Sequence, residues 1–124
     1  MSTPQQTIVI VDDNELASEL LAEFLAMLGH EVKVAASGAQ ALEVCAQARP
    51  QIVLVDIVLP DIDGYELARR LRAAVDPAPC CIALSGLPQG DDRAREDVFD
   101  AWVEKPADLS VLEDLIAGIA SRAG

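Results

Sequence analysis

Two apolar periods alternate along the chain. Short runs rich in β-branched residues fall at residues 8–11 (IVIV), 32–35 (VKVA) and 52–55 (IVLV), with weaker versions at 81–84 (CIAL) and 101–104 (AWVE). Longer segments between them carry apolar residues at helical spacing. Residues 15–28 present Leu16, Leu20, Leu21, Phe24 and Leu28, and residues 40–48 are rich in alanine. Residues 64–74 set Leu67, Ala68 and Leu71 on one face, and residues 109–120 carry Leu109, Leu112, Leu115, Ile116 and Ile119. Between the fourth and fifth runs, residues 86–100 hold Pro88 and Gly90 and few apolar side chains; a short helix starting near Asp91 is expected there. The pattern is a β-α unit repeated five times. Strands apolar throughout are buried on both faces, as in a parallel sheet flanked by helices. With right-handed crossovers, the expected fold is α/β, a doubly wound five-stranded parallel sheet of order 2-1-3-4-5. Gly29 is expected to close the first helix, and His30, the sole histidine, to be an exposed helix-end residue.

The length of 124 residues suits one domain spanning 1–124. Hydrophobic residues make up 52% but aromatics only 3%, so the core must be built from Ala, Val, Leu and Ile. No apolar run approaches the ~18 residues of a membrane span, and the start, MSTPQQTIVI, lacks a signal-peptide pattern. A soluble cytoplasmic protein is expected. The net charge of −12 repels phosphate backbones and anionic membranes, so neither nucleic acid nor membrane is an expected partner, whereas a cation or a basic protein is. Three cysteines (Cys45, Cys80, Cys81) without metal-like spacing fit a reducing compartment and a packing role.

In a doubly wound sheet the functional crevice lies beyond the C-terminal strand ends. Asp12 and Asp13 follow the first strand, Asp56 the third, Ser85 the fourth, and Lys105 and Pro106 the fifth. Each has an ordinary reading taken alone. Asp12 and Asp13 could start a helix, Asp56 stands near the turn residues Pro60, Asp61 and Gly64, and Lys105 could be a surface charge. Together they bring three carboxylates, a hydroxyl and an ammonium to one sheet edge. Clustered carboxylates repel, and a divalent cation relieves that repulsion; oxygen-only ligands suit Mg²⁺. Such a site can position and neutralise a phosphoryl group, with a carboxylate as nucleophile.

The segments VIVDDNE, VLVDIVLPDIDGYELARRLR, ALSG and WVEKPADLSVL closely resemble the response-regulator receiver family of two-component signalling, from about Thr7 to Ala120. The resemblance implies a flavodoxin-like receiver fold and a phosphoacceptor at Asp56. It implies Mg²⁺ bound directly by Asp13, Asp56 and the backbone carbonyl of Val58, and by Asp12 through water. Ser85 and Lys105 would bind phosphoryl oxygens. The implied donor is a phosphohistidine on a sensor histidine kinase or a histidine phosphotransfer protein, and the implied target an output protein or fused effector domain. It further implies a cis Lys105–Pro106 bond. Trp102 stands where the family commonly has a Tyr or Phe switch residue, Val98 replaces a usual glycine, and Val58 and Leu87 are apolar where polar residues are frequent.

Two other functions compete. A Mg-dependent phosphatase could also use Asp56 as nucleophile, but those with an Asp nucleophile carry a second Asp two residues on, where this chain has Val58. An FMN-binding flavodoxin-like protein needs phosphate donors after the first strand, where Asp12 and Asp13 would repel phosphate.

Overall fold

The computed structural model describes residues 5–86, 99–105 and 107–123. Within them lie five strands, β1 (Thr7–Val11), β2 (Glu31–Ala35), β3 (Ile52–Asp56), β4 (Cys80–Ser85) and β5 (Ala101–Glu104). All neighbours pair in parallel, in the expected order β2-β1-β3-β4-β5. Four helices are described: α1 (Glu15–Met27), α2 (Gly38–Ala48), α3 (Gly64–Ala74) and α4 (Leu109–Ala123). The helix expected near Asp91, Leu87, Val98 and the Lys105–Pro106 bond fall outside the described residues; the Asp76–Pro77 bond is cis.

Strand alternation divides the core in two. Ile8, Ile10, Ile52, Leu54, Ile82 and Leu84 point to one face and pack against Leu21 and Leu25 of α1 and Leu112, Ile116 and Ile119 of α4. Val9, Val11, Val53 and Val55 point to the other, against Ala41 and Cys45 of α2 and Leu67 and Leu71 of α3. Each fully buried Leu or Ile contributes about 1.5–3 kcal/mol. Burial pushes the Cys45 thiol up to about 11 and the Cys81 thiol up to about 12, so both are inert at neutral pH.

Three expectations need correction. In α1 the buried stripe is Ser18, Leu21 and Leu25, whereas Leu16 and Leu20 are 69% and 60% exposed. The Ser18 hydroxyl satisfies itself by donating to the Glu15 carbonyl (3.1 Å). β2 is largely exposed rather than buried on both faces, because it is an edge strand. His30 is buried, not exposed. Gly29, at φ +96°, turns the chain directly into β2, and the Glu31 N–H donates to the Gln6 carbonyl (3.0 Å). His30 thereby arrives beside the start of β1, where its Nδ1 accepts the Gln6 N–H (3.0 Å). Burial pulls its imidazole below the ordinary histidine value.

Candidate functional site

The first strand ends in a self-contained turn. Asp12 is 1% exposed, and its Oδ1 accepts the Asn14 N–H (2.9 Å). Asn14, not either aspartate, caps α1, its Oδ1 accepting the Ala17 N–H (3.1 Å). Asp13 is therefore not consumed as a cap, and it lies exposed at the strand end.

Asp56 ends β3 and is buried. Its Oδ1 accepts the Val58 N–H (3.0 Å) and its Oδ2 the Lys105 ammonium (2.9 Å). Lys105 also donates to Asp12 Oδ2 (3.2 Å), so one cation bridges two strand ends. The Lys105 N–H donates to the Ser85 carbonyl (2.7 Å), fixing the lysine against the end of β4. Ser85 is buried and follows Leu84, the register partner of Asp56. Carboxylate oxygens of Asp12, Asp13 and Asp56 lie within 4.8 Å of one another.

Burial is the largest influence on Asp56 and pushes its carboxyl up. Lys105 and the Val58 N–H oppose it, and the nearby Asp12 charge adds to it. Burial alone would pull Lys105 down, but Asp56 and Asp12 outweigh it and hold the ammonium above the ordinary lysine value. Among the described residues, three carboxylates against one ammonium leave negative charge uncompensated at the sheet edge. Hard oxygen donors with that surplus fit a divalent cation such as Mg²⁺.

The 57–63 loop is tightly closed. The Gly64 N–H donates to the Ile57 carbonyl (2.9 Å), Val58 and Asp63 form an antiparallel bridge, and Asp63 caps α3 by accepting the Tyr65 N–H (2.7 Å). Val58 itself is 73% exposed at the mouth of the site. The loop tip reaches away to α2: the two oxygens of Asp61 accept the Gly38 and Ala39 N–H groups (2.9 and 3.0 Å). Those two bonds lower the Asp61 carboxyl below its ordinary value. As a turn residue Asp61 was visible in the sequence, but nothing local pointed to partners 22 and 23 residues upstream.

Trp102, on β5 beside Ala83, is half-buried with Tyr65 and Phe99, at ring-centroid distances of 6.4 Å to each. Its indole N–H is buried and finds no acceptor among the described residues. A cavity of about 350 Å³ runs from Asp12 and Lys105 between α1 and α4, walled by Leu20, Leu21, Leu84 and Leu109. A larger one of about 610 Å³ lies below the N-terminal ends of β3 and β4, at the opposite edge from the acids.

A parallel sheet whose C-terminal edge gathers an acid cluster and a bridging lysine defines a class of phosphoryl-handling switches. The family model of the response regulator receiver domain matches residues 8–117, and the chain belongs to that family. Its function is that of a phosphorylation-controlled receiver in two-component signalling. The chain is 34% identical over 98% of its length to the sensor histidine kinase RcsC of Salmonella typhimurium, of which it spans 13%. Among solved structures it resembles a CheY-like receiver domain from Methylobacillus flagellatus (32% identity, 93% of this chain and 98% of that one, TM-score 0.85). It also resembles the receiver domain of the sensor histidine kinase PA1611 from Pseudomonas aeruginosa PAO1, which has a magnesium ion coordinated in its active site cleft (26% identity, 94% and 98%, TM-score 0.83). No helix among the described residues is long and apolar enough to cross a membrane.

Proposed function

We propose that Asp56 takes a phosphoryl group from a phosphohistidine on a sensor histidine kinase or histidine phosphotransfer protein, and that residues 1–124 act as one receiver domain. The observation that carries this reading is the buried Asp56 carboxylate, joined through Lys105 to Asp12 within the acid cluster. Asp13, Asp56 and the Val58 carbonyl would hold Mg²⁺ directly, and Asp12 through water. When bound, the ion offsets the negative charge that gathers between the acids and the phosphoryl oxygens.

The residues of the chain divide the remaining work. An Asp56 carboxylate oxygen bonds to phosphorus as the donor's N–P bond breaks, and the electron pair leaves with the imidazole. Lys105, already beside Asp56, pairs with a phosphoryl oxygen, and the Ser85 hydroxyl donates to another. Trp102 and Ser85 carry the change outward along β4 and β5. The chain acts on its own phosphorylation state alone and passes the signal to an output protein or fused effector. Its charge of −12 favours protein partners over nucleic acid or membrane, and three cysteines without metal-like spacing suit the reducing cytoplasm. The phosphatase alternative has no support at Val58, which cannot act as an acid.

Intact mass after incubation with acetyl phosphate and Mg²⁺ tests the reading. One added phosphoryl group, lost in Asp56→Asn, is expected. No adduct, or steady turnover of a phosphomonoester, would overturn it.

A further inference from the structure

The N-terminus of α2 is capped from two directions. Ser37, its own cap, accepts the Gln40 N–H (3.2 Å), and Gln40 Oε1 accepts the Ala36 N–H (2.7 Å). The first two helical N–H groups, of Gly38 and Ala39, go instead to the Asp61 carboxylate, across from another loop. Ile62 backs this contact, its side chain occupying the space where a Cβ on residue 38 would sit. The 57–63 loop is thus held at its base by the Ile57 N–H on the Leu84 carbonyl (3.1 Å), at its neck by Gly64 and Ile57, at its far end by the Asp63 cap on α3, and at its tip by α2. The neck and the cap are holds within β3 and α3. The Ile57 bond reaches β4 at the base of the loop, whereas Asp61 ties its tip to α2, which supplies none of the acid cluster.

We infer that Asp61 is a positioning residue for phosphoryl transfer at Asp56: by tying the loop tip to α2, it fixes the Val58 backbone beside the acceptor carboxylate. The inference rests on the proposed role of Val58 and Asp56 at the metal. Val58 acts there through main-chain atoms, so no rotamer can compensate if the loop shifts. Its N–H already fixes Asp56 Oδ1, and its carbonyl would serve the ion. A loop released at Asp61 keeps every acid in place but loses the placement of that backbone.

The test uses the whole chain and Mg²⁺ alone as ligand, titrated by calorimetry well below the melting temperature. Asp61→Ala should raise the Mg²⁺ Kd by about tenfold, the low end for losing a group that orients a metal ligand. Asp61→Asn, which keeps one acceptor oxygen, should fall between it and the parent. Ser37→Ala is the control: it weakens the same helix end and should cost a similar few degrees of melting temperature. It leaves the loop untouched, so its Mg²⁺ Kd should stay within about twofold of the parent. Phosphoryl uptake from acetyl phosphate by Asp61→Ala should be slow at limiting Mg²⁺ and recover at saturation. Parent-like Mg²⁺ affinity in Asp61→Ala, or equal weakening in Ser37→Ala, would overturn the positioning role while leaving the site reading intact. A parent that binds no Mg²⁺ and takes up no phosphoryl group would overturn both.

Discussion

Replacing Gly64 by alanine pushes one methyl group into the back of the acceptor site. The added Cβ would stand 2.6 Å from the Asp56 carbonyl oxygen, 2.7 Å from Ile57 Cα and 3.1 Å from the Ile57 carbonyl oxygen. All three are main-chain atoms, so none can swing aside, and the end of β3 must part from the start of α3. Gly118→Ala makes the same chemical change where, among the described residues, nothing beyond its own helix backbone lies within 4 Å of the new atom. Helix propensity favours alanine by about 0.5–1 kcal/mol in a helix interior. That gain stands alone at Gly118, on the exposed side of α4. Gly64 opens α3, so the interior gain is smaller there, and an overpacking cost of about 1–3 kcal/mol outweighs it. Gly64→Ala should lose about 1–2 kcal/mol, and Gly118→Ala should gain about 0.5–1 kcal/mol. For a domain of this size, thermal melts followed by circular dichroism should separate the two variants by about 5–15 °C. Gly64→Ala should also slow phosphoryl uptake, because the displaced atoms are the Asp56 carbonyl and the Ile57 backbone that follows it. A Gly64→Ala protein that melts at or above the parent and takes up phosphate equally fast would refute this reasoning.

Mg²⁺ should raise the melting temperature, by the equivalent of about 2.7 kcal/mol at a hundredfold excess over Kd. Asp13→Ala should abolish the gain, and an equal shift in parent and variant would exclude Asp13 from the site. His30 accepts the Gln6 N–H only when its Nδ1 is unprotonated, and its native pKa lies below the ordinary 6.5. Protonation therefore costs more in the folded chain than in the unfolded one. Its stabilising effect is complete above 6.5 and lost as pH falls through the lowered native value. Urea midpoints at pH 7.5 and 5.5 should drop more for the parent than for His30→Asn, and matching drops would count against the bond. Val58→Asn puts a polar group at the open mouth of the site, where it can hold water. Decay of the phosphoprotein after donor removal should quicken by up to about tenfold, and an unchanged decay would show that Val58 does not gate water. Beryllofluoride with Mg²⁺ should shift Trp102 emission; constant emission despite measured binding would place the switch elsewhere.

The strands and the gathering of Asp12, Asp13, Asp56 and Lys105 at one sheet edge were legible, because each depends on the local pattern of apolar run and following residue. Runs such as IVIV and IVLV, short and rich in β-branched residues, read as buried strands, and each ends directly on an aspartate. What the sequence hid depends on neighbours far along the chain. The Leu16, Leu20, Leu21, Phe24 and Leu28 set spans too wide an arc to tell which edge of α1 meets the core. Placement of the sheet and α4 decides it, leaving Leu16 and Leu20 outside. His30 looked like a helix-end residue until its partner Gln6, 24 residues away, was brought beside it. The Asp61 clamp was hidden for the same reason: its partners, the Gly38 and Ala39 N–H groups, lie 23 and 22 residues upstream.

The burial of His30 also bears on how phosphate on this chain can be recognised chemically. It is the only imidazole in the 124 residues, and its ring is enclosed with one nitrogen engaged by a backbone amide. A phosphohistidine, with its acid-labile N–P linkage, therefore has nowhere to form while the fold is intact. Label at the acceptor would be an acyl phosphate, cleaved by hydroxylamine and by alkali. In a mixture with its donor, mild alkali would release phosphate from this chain and leave the base-stable phosphohistidine intact, so the two ends of one transfer could be followed in the same tube without separating the proteins.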